Sequence, residues 1–375
     1  MAGIYIHIPF CKQKCTYCDF HFSTSFEKYR SAMIDAICLE LVNRKEYLKN
    51  SVIKSIYLGG GTPSLLLKDE LHQILNTVNT HFNVASTIEL TIETNPDDVF
   101  DENLEMWKAA GINRLSIGLQ SFKSEDLKWM NRAHTAEESL HCVQKAQKYG
   151  FKNSTIDLMY GLPNLTNEEW KSHILTAVNL GVTHISAYCL TIEENTVLNK
   201  LIQDKTIVPA SENQQSEQFT ILVETLEEQG FEQYEISNFC KSNCEAIHNS
   251  NYWKSEPYLG VGPSAHSFNG TERSWNIRNN SKYIQFINEG TAHFESETLT
   301  KQDRYNEMLL TGLRTKYGVQ LNRLNDIIGL DNSFERKIQE LVDDELMLRN
   351  ENVIVLTKNG RLMADRIASD LFIVD

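Results

Sequence analysis

The chain has 375 residues, 41% of them hydrophobic and 23% charged, with 36 basic against 50 acidic side chains and a net charge of −14. This balance excludes disorder over most of the length, and at roughly 100–200 residues per domain it suggests one large domain or two. Such a surface repels a polyphosphate backbone, and no apolar run reaches the ~20 residues of a membrane span, so neither nucleic acid nor a membrane span is expected.

The N-terminal stretch MAGIYIHIPFCKQKC is apolar over too short a run for a secretory leader, and no small-residue cleavage site follows it. A cytoplasmic protein is the expectation. Short β-branched runs then recur at residues 4–8, 53–58, 88–93, 114–118, 154–158 and 184–190. Between them lie amphipathic stretches at 29–42, 71–78, 104–110, 139–149 and 170–180, with apolar residues at the 3.6 period. Gly111, Gly150 and Gly181 close three of these helices. Strand and helix in alternation predict parallel strands with right-handed crossovers, as a doubly wound sheet or an incomplete (β/α) barrel.

Residues 201–289 are less regular, with a strand-like FEQYEIS and a Gly/Pro-rich YLGVGPSAHSF. From about 300 the pattern predicts helices at 305–313 and 334–341, a hairpin of 346–348 with 353–356, and a last helix at 360–371. That order is a winged helix in outline. Residues 301–375 carry 11 basic and 13 acidic side chains, which suits a packing or partner module better than a DNA reader. The expected domains are 1–290 and 291–375.

The eight cysteines are unevenly placed. Cys11, Cys15 and Cys18 crowd into one loop directly after the first strand, while Cys38, Cys142 and Cys189 are scattered. Clustered cysteines in a large chain without a leader point to metal rather than disulfides. Structural zinc sites use four ligands, usually in two pairs. A [4Fe–4S] cluster normally takes four thiolates, so three would leave one iron open. Cys240, Cys244 and His248 are spaced by four and would share a face if the segment were one helix, forming an extra metal or thiolate site. His266 is a further candidate polar contact.

The other strand ends carry polar loops: Gly59-Gly60-Gly61-Thr62-Pro63, Glu93-Thr94-Asn95-Pro96, Gly118-Leu119-Gln120, and Asp157 before Tyr160-Gly161-Leu162-Pro163. Active sites of parallel barrels are built at those ends. Glycines there are expected to bring backbone N–H groups close to a ligand.

The C-x₃-C-x₂-C spacing resembles the radical S-adenosylmethionine (SAM) superfamily, and GGGTP, ETNP, GLQSF, NRAH and IDLMYGLP resemble the oxygen-independent coproporphyrinogen III oxidase-like family within it. The resemblance spans residues 1 to about 270, and the tail from 300 more loosely. It implies an incomplete (β/α)₆ barrel followed by a small winged-helix-like α+β domain. It also implies a [4Fe–4S] cluster on Cys11, Cys15 and Cys18, with SAM on its open iron. Tyr5, Tyr17, Gly60, Gly61, Thr62, Glu93, Gln120, Arg132 and Asp157 would surround that SAM.

Asp19-Phe20 stands where the oxidase itself has a fourth cysteine, and its long segment ahead of the cluster has no counterpart in the ten residues before Cys11. His248-Asn249-Ser250-Asn251-Tyr252-Trp253 resembles the HNxxYW motif of the heme-chaperone branch of the family. That branch implies heme as a cofactor and a heme-accepting protein as partner, without settling whether the chain turns over as an enzyme or is a monomer or dimer. Peripheral membrane contact also stays open. His248, Tyr252 and Trp253 are then heme candidates, because an imidazole beside two aromatics suits an iron porphyrin. The alternative for His248 is an imidazole satisfied by hydrogen bonds at the barrel bottom. The alternative for the protein is decarboxylation of coproporphyrinogen III to protoporphyrinogen IX by deoxyadenosyl radical chemistry.

Overall fold

The computed structural model describes residues 1–292 and 294–374. The first half alternates as expected: β1 (Ala2–Ile8), α1 (Arg30–Asn43), β2 (Ile53–Gly60), α2 (Lys68–His81), β3 (Val84–Thr94), α3 (Asp101–Ala109), β4 (Arg114–Gln120), α4 (Ser124–Trp129), α5 (Ala136–Lys148), β5 (Ser154–Tyr160), α6 (Asn167–Asn179) and β6 (His184–Cys189). Strands β1 to β6 pair in sequence order, all parallel.

The less regular middle holds more structure than its sequence suggests: α7 (Val197–Gln203), α8 (Glu212–Glu228), β7 (Glu232–Glu235), β8 (Asn238–Cys240), α9 (Ile247–Trp253), β9 (Tyr258–Val261), β10 (His266–Phe268), β11 (Glu272–Asn276), α10 (Asn280–Glu289) and β12 (Phe294–Thr298). These strands extend the sheet to twelve. β9 joins the free edge of β1 as a seventh parallel strand, with Gly3 opposite Tyr258. β8 and β7 continue antiparallel from β6. β12 pairs with β11, so the large sheet runs past the expected boundary at 290.

The C-terminal unit follows winged-helix order: α11 (Lys301–Leu313), β13 (Val319–Gln320), α12 (Leu321–Ile327), α13 (Asn332–Asp343), β14 (Met347–Asn350), β15 (Val353–Leu356), α14 (Lys358–Arg361) and α15 (Ala364–Asp370). It has its own core, which includes Tyr305, Leu309, Phe334, Ile338 and Ile354. The expected last helix is two short ones, because the chain turns at Leu362 and Met363. Among the described residues no helix is long and apolar enough to cross a membrane.

Strand alternation decides what faces where. Ile4, Ile6 and Ile8 of β1, Ile56 and Leu58 of β2, and Ile117 and Leu119 of β4 belong to the apolar core that includes Ile34, Ile37 and Leu41 of α1. The intervening residues meet one another on the inner side of the curved sheet. Glu89, Arg114, Thr155 and His184 form its lower layer. Tyr57, Glu93 and Asp157 lie toward the strand C-termini and line a cavity.

Candidate functional site

That cavity has a volume of about 600 Å³ and opens at the C-terminal ends of the strands. The size suits a small-molecule ligand. Its rim is the loop after β1, where Cys11 is buried and Cys15 and Cys18 are half-buried. The loop is tied down on all sides. Lys12 pairs with Asp97 at 2.7 Å and with Asp98. Gln13 and Lys14 exchange hydrogen bonds with Asn131, both at 2.8 Å. The Thr16 amide donates to Met130, and the Leu198 amide donates to Thr16. At the exit, His7 shares a 2.8 Å bond with the His21 carbonyl, His21 meets Asn280 at 2.7 Å, and Arg278 donates to the Asp19 carbonyl.

The thiols have polar neighbours of their own. Thr62 Oγ1 donates to Cys11 Sγ and Arg132 Nη1 to Cys15 Sγ, both at 3.4 Å. Burial pushes the Cys11 thiol up to about 12 and Cys18 up to about 11. Iron must displace those protons, since the thiolate is the ligand. Among the described residues no three His, Cys, Asp or Glu side chains converge on one ion.

The glycine turn differs from expectation in one respect. Its amides are already used: Gly60 N–H donates to Glu93 Oε2 (3.1 Å), Gly61 to the Ile8 carbonyl (2.9 Å) and Thr62 to the Phe10 carbonyl (2.6 Å). The turn does not aim N–H donors at a ligand. The glycines are needed for space instead. Gly60 sits at φ +105°, and a Cβ there would lie 2.4 Å from His7 Nδ1; one on Gly61 would lie 2.6 Å from the Phe10 carbonyl oxygen.

Two carboxylates stand below the turn. Glu93 accepts from Tyr57 (2.8 Å) as well as Gly60, and Asp157 accepts from Ser116 (3.2 Å). Burial raises Glu93 to about 7 and Asp157 to about 6. Each is raised in the folded state, so each holds its proton longer there than in the unfolded chain. The pair's own contribution to stability is therefore lost as pH rises from about 4 to 7, while the buried His7, His134, His173 and His248, held neutral by burial, add stability over much of the same range. Over the same range the ionising pair should attract a cationic ligand more strongly. SAM affinity, measured from pH 5 to 8, should therefore rise.

Arg132 donates to Asn95 (2.6 Å) and the Gly118 carbonyl (2.7 Å), while its Nε is buried with no hydrogen-bond partner among the described residues. Gln120 adopts φ +67°, and strained non-glycine backbone of this kind gathers at functional sites. Tyr17 lines the cavity near Arg132, and burial pushes its hydroxyl up.

Of the expected residues, Cys11, Cys15, Cys18, Tyr17, Gly60, Gly61, Thr62, Glu93, Gln120, Arg132 and Asp157 share this one cavity. Tyr5 does not line it. Its ring packs near Tyr57 and its hydroxyl meets His7 Nδ1 at 3.1 Å.

His248 is buried, with Nδ1 on Ser55 Oγ (2.8 Å) and Nε2 on Tyr252 hydroxyl (3.0 Å). Its ring stacks on Tyr57 at 5.1 Å, and burial lowers its pKa to about 3. Trp253 lies under the Arg314 guanidinium at 5.2 Å, at the seam with the C-terminal unit. None of His248, Tyr252 and Trp253 reaches the cavity, and His248 has no free nitrogen for an iron. Of the two alternatives for His248, its surroundings are those of an imidazole satisfied by hydrogen bonds. The Cys240–Cys244–His248 face does not form either, because Cys240 ends β8, Asn243 turns the chain at φ +61°, and only His248 is helical.

Sequence reasoning missed Glu89, Tyr57 and Asn249. Glu89 accepts from the Ile247 and His248 amides at 2.9 and 2.8 Å, which fixes α9 across the barrel bottom. Glu89→Ala strands the buried His248 N–H and the half-buried Ile247 N–H, and it takes away the carboxylate facing Arg114. It should cost about 3 kcal/mol in denaturant unfolding.

Three thiols at the mouth of an open parallel barrel, above a crowded glycine turn, place the chain among the radical SAM proteins. The model of the radical SAM superfamily matches residues 5–177, and that of the HemN C-terminal domain residues 299–363. The chain is 33% identical to the heme chaperone HemW of Bacillus subtilis over 98% of both chains. It is 31% identical to that of Mycobacterium tuberculosis over 98% of this chain and 94% of the other. It belongs to the HemW family. Escherichia coli HemN, a coproporphyrinogen III oxidase, shares the fold with a TM-score of 0.85 at 22% identity, over 99% of this chain and 90% of its own.

The residues present fit the superfamily's cofactors. Three thiols on one loop, Cys11, Cys15 and Cys18, match a cluster held by three cysteines with one open iron. The orphaned Arg132 Nε and the paired carboxylates match the opposite charges of an amino acid sulfonium.

Proposed function

We propose that this chain is a heme chaperone that carries a [4Fe–4S] cluster and SAM, binds heme and hands it to an acceptor protein. End-to-end correspondence with the HemW proteins carries this reading. Cys11, Cys15 and Cys18 would hold three irons. Arg132 would face the SAM carboxylate. Glu93 and Asp157, with Gln120, would take its ammonium and ribose hydroxyls, and the 60–62 turn would supply the surface the methionine end packs on. When bound, the reduced cluster supplies one electron for cleavage of a SAM carbon–sulfur bond. The chain's own part is to hold both groups in register and to keep water away with a loop that is already fixed.

The test is anaerobic reconstitution followed by heme titration and mixing with a heme-free acceptor. One heme per chain, released to the acceptor, is the expected result. Conversion of coproporphyrinogen III to protoporphyrinogen IX with matching 5′-deoxyadenosine would instead make the chain an oxidase.

A further inference from the structure

We infer that the HNxxYW segment serves the nucleoside half of SAM, with Asn249 as its contact residue and His248 as a positioning residue. The inference rests on the assignment of the cavity to SAM. Asn249 is the one member of the segment's first pair that lines the cavity, and its carboxamide bonds to no other described residue. Its neighbour His248 is spent on Ser55 and Tyr252. A carboxamide is a donor and an acceptor side by side, and it matches a ribose hydroxyl or a purine edge.

The charge of the lumen argues in the same direction. Glu93 and Asp157 share the cavity with Asn249. They favour hydroxyls and cations, and they repel the two carboxylates a heme carries. A nucleoside fits beside them, so heme binds outside this lumen.

His248 acts through a relay of contacts. Its ring stacks on Tyr57, Tyr57 donates to Glu93, and Glu93 accepts the Gly60 amide. Ser55 and Tyr252 fix the imidazole that begins it, and Glu89 holds the His248 backbone amide. The segment thus braces the SAM turn from below.

The experiment compares three ligands on the cluster-loaded protein: SAM, 5′-deoxyadenosine and heme. Asn249→Ala removes one or two hydrogen bonds and should weaken SAM and 5′-deoxyadenosine by roughly tenfold, leaving heme affinity within twofold. Asn249→Asp adds a third carboxylate and should weaken both nucleosides further. His248→Phe keeps a ring over Tyr57 and should retain more SAM affinity than His248→Ala at equal iron content, which a merely structural loss would not produce. Loss of heme affinity in Asn249→Ala or His248→Phe with SAM binding unchanged overturns the inference. If the wild-type protein binds neither SAM nor 5′-deoxyadenosine, the cavity assignment itself falls and takes the inference with it.

Discussion

Cys15→Ala should yield a folded protein with no intact cluster. Cys15 is half-buried in a loop whose shape does not depend on it. Lys12–Asp97, Gln13–Asn131 and Thr16–Met130 all persist when its sulfur is gone. Of the loop between Cys11 and Phe22 only Tyr17 packs against the barrel core, and the loop's core anchor, Phe26, lies well beyond the cysteines. Circular dichroism and melting temperature should therefore stay near wild type. With two thiolates left, iron after anaerobic reconstitution should fall below one quarter of the wild-type content, and the brown charge-transfer absorbance should vanish. Cys11→Ala is a poorer experiment, because Cys11 is buried and its removal also leaves a void. Full iron in Cys15→Ala would mean that the three cysteines are not the ligand set.

Gly60→Ala should abolish SAM binding and destabilise the fold. The methyl group meets His7 Nδ1 at 2.4 Å, and His7 cannot move freely. It is buried and bonded to the His21 carbonyl and the Tyr5 hydroxyl. Displacing it disturbs the exit of the cysteine loop. Shifting the turn instead breaks the Gly60–Glu93 bond. A side chain at φ +105° adds its own cost. The sum should be about 3 kcal/mol in denaturant unfolding, with SAM affinity down by more than about a hundredfold. Gly111→Ala is the control. It has φ +87° with nothing within 4 Å of the added carbon, so only the backbone term remains, about 1 kcal/mol. Equal losses at the two positions would show that crowding at the turn is not what matters.

The parallel strands were legible because a strand buried on both sides needs consecutive residues fit for burial, and that pattern is local. β9 was not legible. Its four residues, Tyr258–Val261, lie among glycines, and its partner β1 is far away in sequence. α8 escaped because its core-facing set, Phe219, Leu222, Val223 and Leu226, occupies only its second half. The cavity residues at strand ends were readable from loop chemistry at regular intervals. Tyr57 was not, because a tyrosine inside a strand reads as core. His248 could be stated only as two alternatives. Its partner Ser55 is 193 positions away, and nothing near His248 in the sequence marks both ring nitrogens as taken. The spacing of Cys240, Cys244 and His248 misled because spacing by four implies a shared face only within a helix.

β1 precedes the other strands in the chain, yet it lies between β2 and β9. Its second neighbour, Tyr258–Val261, emerges only when more than two thirds of the chain exists. The cysteine loop hangs from the end of β1, and its exit is pinned by Arg278 and Asn280, which come later still. A nascent chain therefore displays three cysteines long before the walls of their pocket are in place. Long-range pairing of this kind slows folding. Iron delivery should consequently follow the emergence of residues 278–280, and any truncation ahead of residue 278 should give a chain that exposes its thiols but cannot shelter a cluster.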